Sequence, residues 1–185
     1  MKIWISIILI ITVSSSFSQT TIDDNLIFWS SDRELTVDDF GIKTKNSETS
    51  LSFAQFSVDY QVSGFDFMRK NFNNKVRNCL IKSASWIDTT INVSNSIRYQ
   101  QTLFDICEIY TRKFRMELKK NRKKIASGTQ FVDKLNQKIM TEFSNRRIIY
   151  DRETNFGTIE EKQRKWELQI KKELDEMKEF ERKEK

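Results

Sequence analysis

Asp105 and Glu108 stand three residues apart in a stretch whose apolar residues recur at helical spacing, so both carboxylates face one side and offer oxygen ligands to calcium or magnesium. Without further convergent ligands they make a weak metal site, and hydrogen bonding within the fold is a sufficient use for them. Cys79 and Cys107 are an even pair that an oxidising compartment would join as a disulfide; two buried thiols are the alternative. Two cysteines cannot form a four-thiolate site. The chain contains no histidine, which excludes His-ligated zinc or haem, Ser-His-Asp and Cys-His nucleophiles and an imidazole pH switch. Ser30, Ser31, Ser83 and Ser85 have no adjacent base, and no carboxylate spacing calls for glycoside hydrolysis.

A different chemistry is offered by Arg112, Lys113, Arg115, Lys119, Lys120, Arg122, Lys123 and Lys124, a basic run interrupted by Glu117 alone. Residues 1–110 hold 10 basic and 12 acidic side chains and residues 111–185 hold 22 and 14, so the excess is concentrated in the second half. A solvated helix end accounts for the run, and peripheral contact with an anionic envelope surface is its functional use. Nucleic acid is not an expected partner, because no zinc finger, recognition helix or aromatic single-strand motif accompanies the charges.

These groups must be positioned by one α+β domain. At 185 residues the chain has room for a single core. Short, mostly alternating runs at 26–29, 51–62 and 76–81 predict strands, with Ala54, Phe56, Val58, Tyr60 and Val62 on the inward face of the longest. From Thr89 the period becomes helical. Leu103, Ile106, Cys107, Tyr110, Phe114 and Leu118 form one stripe. Further helices are predicted from Gly128 to Ser144 and from Thr158 to Glu181, the last opened by a Thr158/Glu161 capping box and striped by Ile159, Trp166, Ile170 and Leu174. The missing prolines and four glycines suit a helix-rich second half. Trp29, Trp86 and Trp166 read as core or cleft-wall aromatics.

The first residues set the expected compartment. Lys2, an apolar run from Ile3 to Val13, and Ser16 and Ser18 before Gln19 have the layout of a cleavable signal peptide. The run is short of the roughly 20 residues a spanning helix needs. The expected organisation is therefore signal peptide 1–18, a short extension 19–25, a domain over 26–178 and a charged tail 179–185, in a periplasmic or secreted protein without a membrane span after cleavage.

Three ordered segments carry a family resemblance: IFWSSDRELTVDDFG (Ile27–Gly41), SWI at 85–87 with YQQTLFDICEIYTRKFRMEL (Tyr99–Leu118), and YDRETNFGTIEEKQRKW (Tyr150–Trp166). Together they resemble the secreted bacterial domain of unknown function family 922, widespread in Bacteroidota and regarded as zinc-dependent peptidases. The resemblance implies a zincin-like fold, a small N-terminal sheet packed on a central helix and C-terminal helices. In that family the middle segment reads His-Glu-Gln-x-His followed by Phe-Asp-Ile and Glu, and the third carries Thr-x-His-Gly. Gln101, Phe104, Asp105, Glu108, Thr154 and Gly157 keep that pattern. The two helix histidines fall at Tyr99 and Leu103, the catalytic glutamate at Gln100 and the third histidine at Phe156.

The loss removes the chemistry. A zinc peptidase needs imidazoles four apart to fix the ion and a carboxylate to take the proton from its water. Tyr99 and Leu103 offer a phenol and an alkyl group, and Gln100 cannot act as a base. The sequence thus implies a peptidase-like scaffold with no catalytic or metal-binding residues and no cofactor, in which Tyr99, Leu103 and Phe156 fill the old ligand pocket. Its expected partner is a peptide or cell-envelope component. The alternatives are an active hydrolase using a nonstandard metal site at Asp105 and Glu108, and an envelope-associated adhesion or structural module acting through the basic surface.

Overall fold

The computed structural model describes residues 24–48, 50–60, 75–125 and 130–182. The expected signal segment, residues 19–23 of the extension, Val62 and the predicted helix start at Gly128 lie outside the described residues.

The chain forms an α+β fold, a small four-stranded sheet with helices. Strand β4 (Val76–Asp88) is its axis. β3 (Ser52–Tyr60) pairs antiparallel with it along one edge. The opposite edge is shared end to end by β1 (Leu26–Phe28), antiparallel against 79–81, and β2 (Ile42–Thr44), parallel against 86–88. β4 is longer than alternation predicts because Lys82–Ser85 break the apolar pattern while β2 and the first residues of β3 still hold the strand at Trp86 and Ile87. On β3 the predicted inward set is observed, with Ala54, Phe56 and Val58 buried. Gly41 lets the backbone close onto this sheet: its N–H donates to the Lys82 carbonyl at 2.9 Å, and a Cβ there would lie 2.5 Å from that oxygen.

The long helix α1 (Val93–Lys120) lies against the sheet. All six residues of its predicted stripe are buried, as is Tyr99 one turn earlier on it, and so are Phe104 and Ile109 on other faces. The reason is that α1 is covered on several sides, by β3 and β4 and by the later helices. Phe104 stacks on Phe56 of β3 with ring centroids 5.2 Å apart. A short turn of helix, α2 (Arg122–Ile125), leads toward α3 (Gln130–Thr154) and α4 (Glu160–Glu176), both packed on α1.

α3 continues ten residues beyond the predicted end at Ser144, because tertiary contacts outweigh its polar composition. Arg146 forms a two-pronged pair with Glu173 of α4, and Tyr150 is fully buried. The capping box at Thr158 does not form. Ile159 occupies the N-cap and the Thr158 hydroxyl turns back to the Asn155 carbonyl. Trp166 and Ile170 are buried as the stripe predicts, whereas Ile159 is exposed. The last helix ends at Glu176, and a 3₁₀ turn (Lys178–Phe180) follows. The first residues of the expected charged tail are tied to α1: the Phe180 carbonyl accepts from Arg115 and Glu179 pairs with Lys119.

Candidate functional site

The retained motif residues do structural work. Gln101 reaches from α1 to the first segment: its Oε1 accepts the Leu35 N–H at 2.8 Å and its Nε2 donates to Asp105 Oδ1 at 3.0 Å. Asp105 also accepts the Trp29 indole N–H at 2.8 Å. Asp39 accepts from the Thr36 N–H and pairs with Arg33, closing the turn that places Phe40 in the core. Burial pushes the Asp105 carboxyl up to about 6 despite its two donors, with Glu108 nearby adding to the rise and Arg112 opposing it.

Glu108 is buried between two guanidiniums. Arg112 Nε lies 3.0 Å and Arg115 Nη1 2.7 Å from its Oε1, and the arginines are only 2% and 1% exposed at the side chain. Other donors go to main-chain carbonyls, Arg112 to Leu174 and Arg115 to Val76 and Phe180, and Glu181 lies 3.5 Å from Arg112 Nη2. This corrects the reading of the basic run as one surface. Arg112 and Arg115 belong to the core, Lys119 and Lys120 pair with Glu179 and Glu117, and Lys113 lies over the Tyr110 ring. Arg122, Lys123 and Lys124 remain exposed.

Tyr99 and Phe156, two positions at which the resembled family carries histidine, come together with ring centroids 6.4 Å apart and inclined at 66°. Tyr99 is buried, stacks on Tyr150 at 5.2 Å and donates its hydroxyl to Asp151. Burial raises both the phenol and the Asp151 carboxyl above their ordinary values. Gln100, also buried, donates to the Ser52 hydroxyl at 3.0 Å, and its Oε1 has no hydrogen-bond partner among the described residues. Leu103 lies one turn further along α1, wholly inside the core.

Phe156 contradicts the expectation that it fills the pocket, since it is 60% exposed. Its cause is the loop between α3 and α4, where Asn155, Phe156 and Gly157 all have positive φ, at 47°, 55° and 80°. That path turns the Phe156 ring outward. Thr154 accepts the Gly157 N–H on its hydroxyl at 3.1 Å, and a Cβ on Gly157 would come 2.7 Å from the Cβ of Tyr99. Thr154 and Gly157 therefore press the loop against Tyr99.

These residues do not fit a zinc ion. A phenol committed to Asp151, a carboxamide and two hydrocarbon side chains supply neither the imidazoles nor the base that the ion would need. Asp105 Oδ1 and Glu108 Oε1 are taken by N–H donors, and although Glu108 Oε2 has no hydrogen-bond partner among the described residues, no cluster of three or more metal-ligating side chains occurs among them.

What the arrangement leaves is a concavity of about 300 Å³ over Tyr99, between the start of α1, the start of β3 and the 155–158 loop. Ser50, Ser52, Asn92, Asn95, Ser96 and Thr158 provide its polar lining and Phe156 one apolar wall. Among the described residues no charged side chain lines it. Sequence reasoning missed these neutral groups, although the polar cluster Asn92, Ser94, Asn95 and Ser96 at the start of a helix was the available signal. Cys79 and Cys107 are buried thiols rather than a disulfide, and burial raises the Cys107 thiol well above its ordinary value. Neither a family model, nor a curated protein, nor a solved structure matches this chain.

Proposed function

We propose that this protein is an exported, noncatalytic peptidase-like domain that binds an envelope component through the concavity over Tyr99. The observation that carries the reading is the commitment of Tyr99 to Asp151 and of Gln100 to Ser52, at the positions where the resembled family keeps a zinc ligand and its general base. Neither side chain is available to activate water. The neutral lining of the concavity beside them supports binding rather than hydrolysis.

A hydrolase working through Asp105 and Glu108 has less support, because indole and amide donors hold one oxygen of Asp105, two guanidiniums hold one oxygen of Glu108, and no third metal-ligating side chain joins them among the described residues. An adhesion module using the basic run loses Arg112 and Arg115 to the core. Zinc analysis after dialysis, together with turnover of a mixed peptide substrate by the purified mature protein, tests the reading. Substoichiometric zinc and no chelator-sensitive turnover are expected. One equivalent of retained zinc with hydrolysis abolished by a chelator would overturn it.

A further inference from the structure

Backbone strain among the described residues gathers at one place. Four residues other than glycine have positive φ, Asn46, Asn92, Asn155 and Phe156, and the last three line the concavity over Tyr99. Asparagine tolerates this conformation through its short polar side chain; phenylalanine does not. Phe156 is both strained and largely exposed, so packing does not account for it. Strain of this kind persists where the surroundings over-determine it and collects at ligand sites.

We propose that the concavity binds an uncharged carbohydrate, with Phe156 as the stacking platform and Asn92 and Asn95 as hydroxyl readers. The inference rests on the binding reading given above and names its ligand class. A sugar ring presents a C–H face suited to an aromatic plane and a rim of hydroxyls that both donate and accept, as amide side chains do. The amides of Asn92 and Asn95 make no hydrogen bond with other described residues, so both ends remain available to a ligand. Ser96 lies between these amides and Tyr99 on the first turns of α1. A volume of about 300 Å³ suits a ring rather than a folded segment and lies at the small end of ligand clefts.

Charge argues against the competing ligands. An anionic group or a peptide terminus would find no counter-charge in a lining that has none. An extended peptide would favour the edge of β3, but at its bulge Arg147 already donates to the Ala54 carbonyl at 3.1 Å and stands 4.8 Å from the Phe53 ring.

The test is calorimetric titration and saturation-transfer NMR of the mature protein with triacetylchitotriose and with cellotriose, using wild type, Phe156→Gly and Asn95→Ala. Wild type should bind at least one of these neutral sugars, and Phe156→Gly should weaken it about tenfold or more, as loss of an aromatic stack implies. Phe156→Gly should also raise the thermal midpoint, because glycine adopts φ near 55° without strain. That combination of better stability and lost binding is one a purely structural residue cannot give. Failure of both sugars to bind wild type at millimolar concentration overturns the proposal, as does binding that survives both substitutions. Binding of a peptide library that Phe156→Gly abolishes, with no sugar binding, also overturns it while leaving the noncatalytic reading intact. Zinc-dependent turnover would remove that reading instead.

Discussion

The Trp29 indole N–H donates to the Asp105 carboxylate at 2.8 Å, joining residues 76 apart in the chain. Gln101 supports the same oxygen from one turn earlier on α1. The bond explains why an acidic residue stands on a helix that is otherwise buried there, and it gives that residue a measurable pH signature.

Because the folded carboxyl of Asp105 titrates near 6 rather than 3.8, the folded state holds its proton more tightly than the unfolded chain does. Its contribution therefore favours the fold fully below about pH 4 and is lost as pH rises through 6. Asp105→Asn keeps an oxygen for both donors and removes the buried charge. The variant should be more stable than wild type at pH 7.5 by about 1 to 3 kcal/mol, with the difference shrinking toward pH 4. Urea melts at both pH values measure it; a pH-independent difference would reject the assignment.

Glu108 is shared by two arginines, so Glu108→Gln removes the carboxylate that both buried guanidiniums use. We expect a loss of about 3 to 5 kcal/mol, the range for breaking a buried pair from one side. The exposed pair Glu161–Lys165 is the control. Lys165→Ala should change stability by no more than about 0.5 kcal/mol. Equal effects of the two substitutions in chemical denaturation would contradict the placement of Glu108.

Trp166 fixes α4 to α3. Its ring meets Tyr150 edge-on at 5.2 Å and its N–H donates to Glu153 at 2.9 Å. Trp166→Ala should cost about 3 kcal/mol or more, as expected for removing a packed aromatic. Thermal unfolding of a well-folded variant at an unchanged midpoint would show that α4 is an independent appendage.

The two cysteines should behave as buried thiols. A maleimide added to the native protein is expected to label neither quickly, since the thiolate of Cys107 is disfavoured by burial. In denaturant without reductant both should react. Labelling that appears only after reduction would establish a disulfide instead.

Much of the fold was legible from the period of the apolar residues. The inward faces of β3 and α1 follow directly from alternation and from the three-four spacing, as Phe56 and Leu103 illustrate. The end of α3 was not legible, because Arg146 and Tyr150 are held by partners on α4 that no local pattern reveals. The basic run misled for a related reason. Arg112 and Arg115 look like surface residues until three main-chain carbonyls, those of Leu174, Val76 and Phe180, are brought to them by distant chain and join Glu108 of the same helix. At the candidate site the substitution types gave the loss of imidazole chemistry, whereas the outward turn of Phe156 depends on backbone angles that residue type alone does not encode.

The arginine pair on α1 also sets a timetable. Arg112 and Arg115 obtain acceptors from Leu174 and Phe180, and Glu181 approaches Arg112 to 3.5 Å. A nascent or partly translocated chain lacking residues 174–181 would hold two cations inside its central helix with fewer acceptors to receive them. The sheet and α1 can collapse early, but the domain cannot lock until that late segment arrives. Such sequence-distant closure slows folding. It would leave the chain loosely structured for longer, a property that suits the export proposed above.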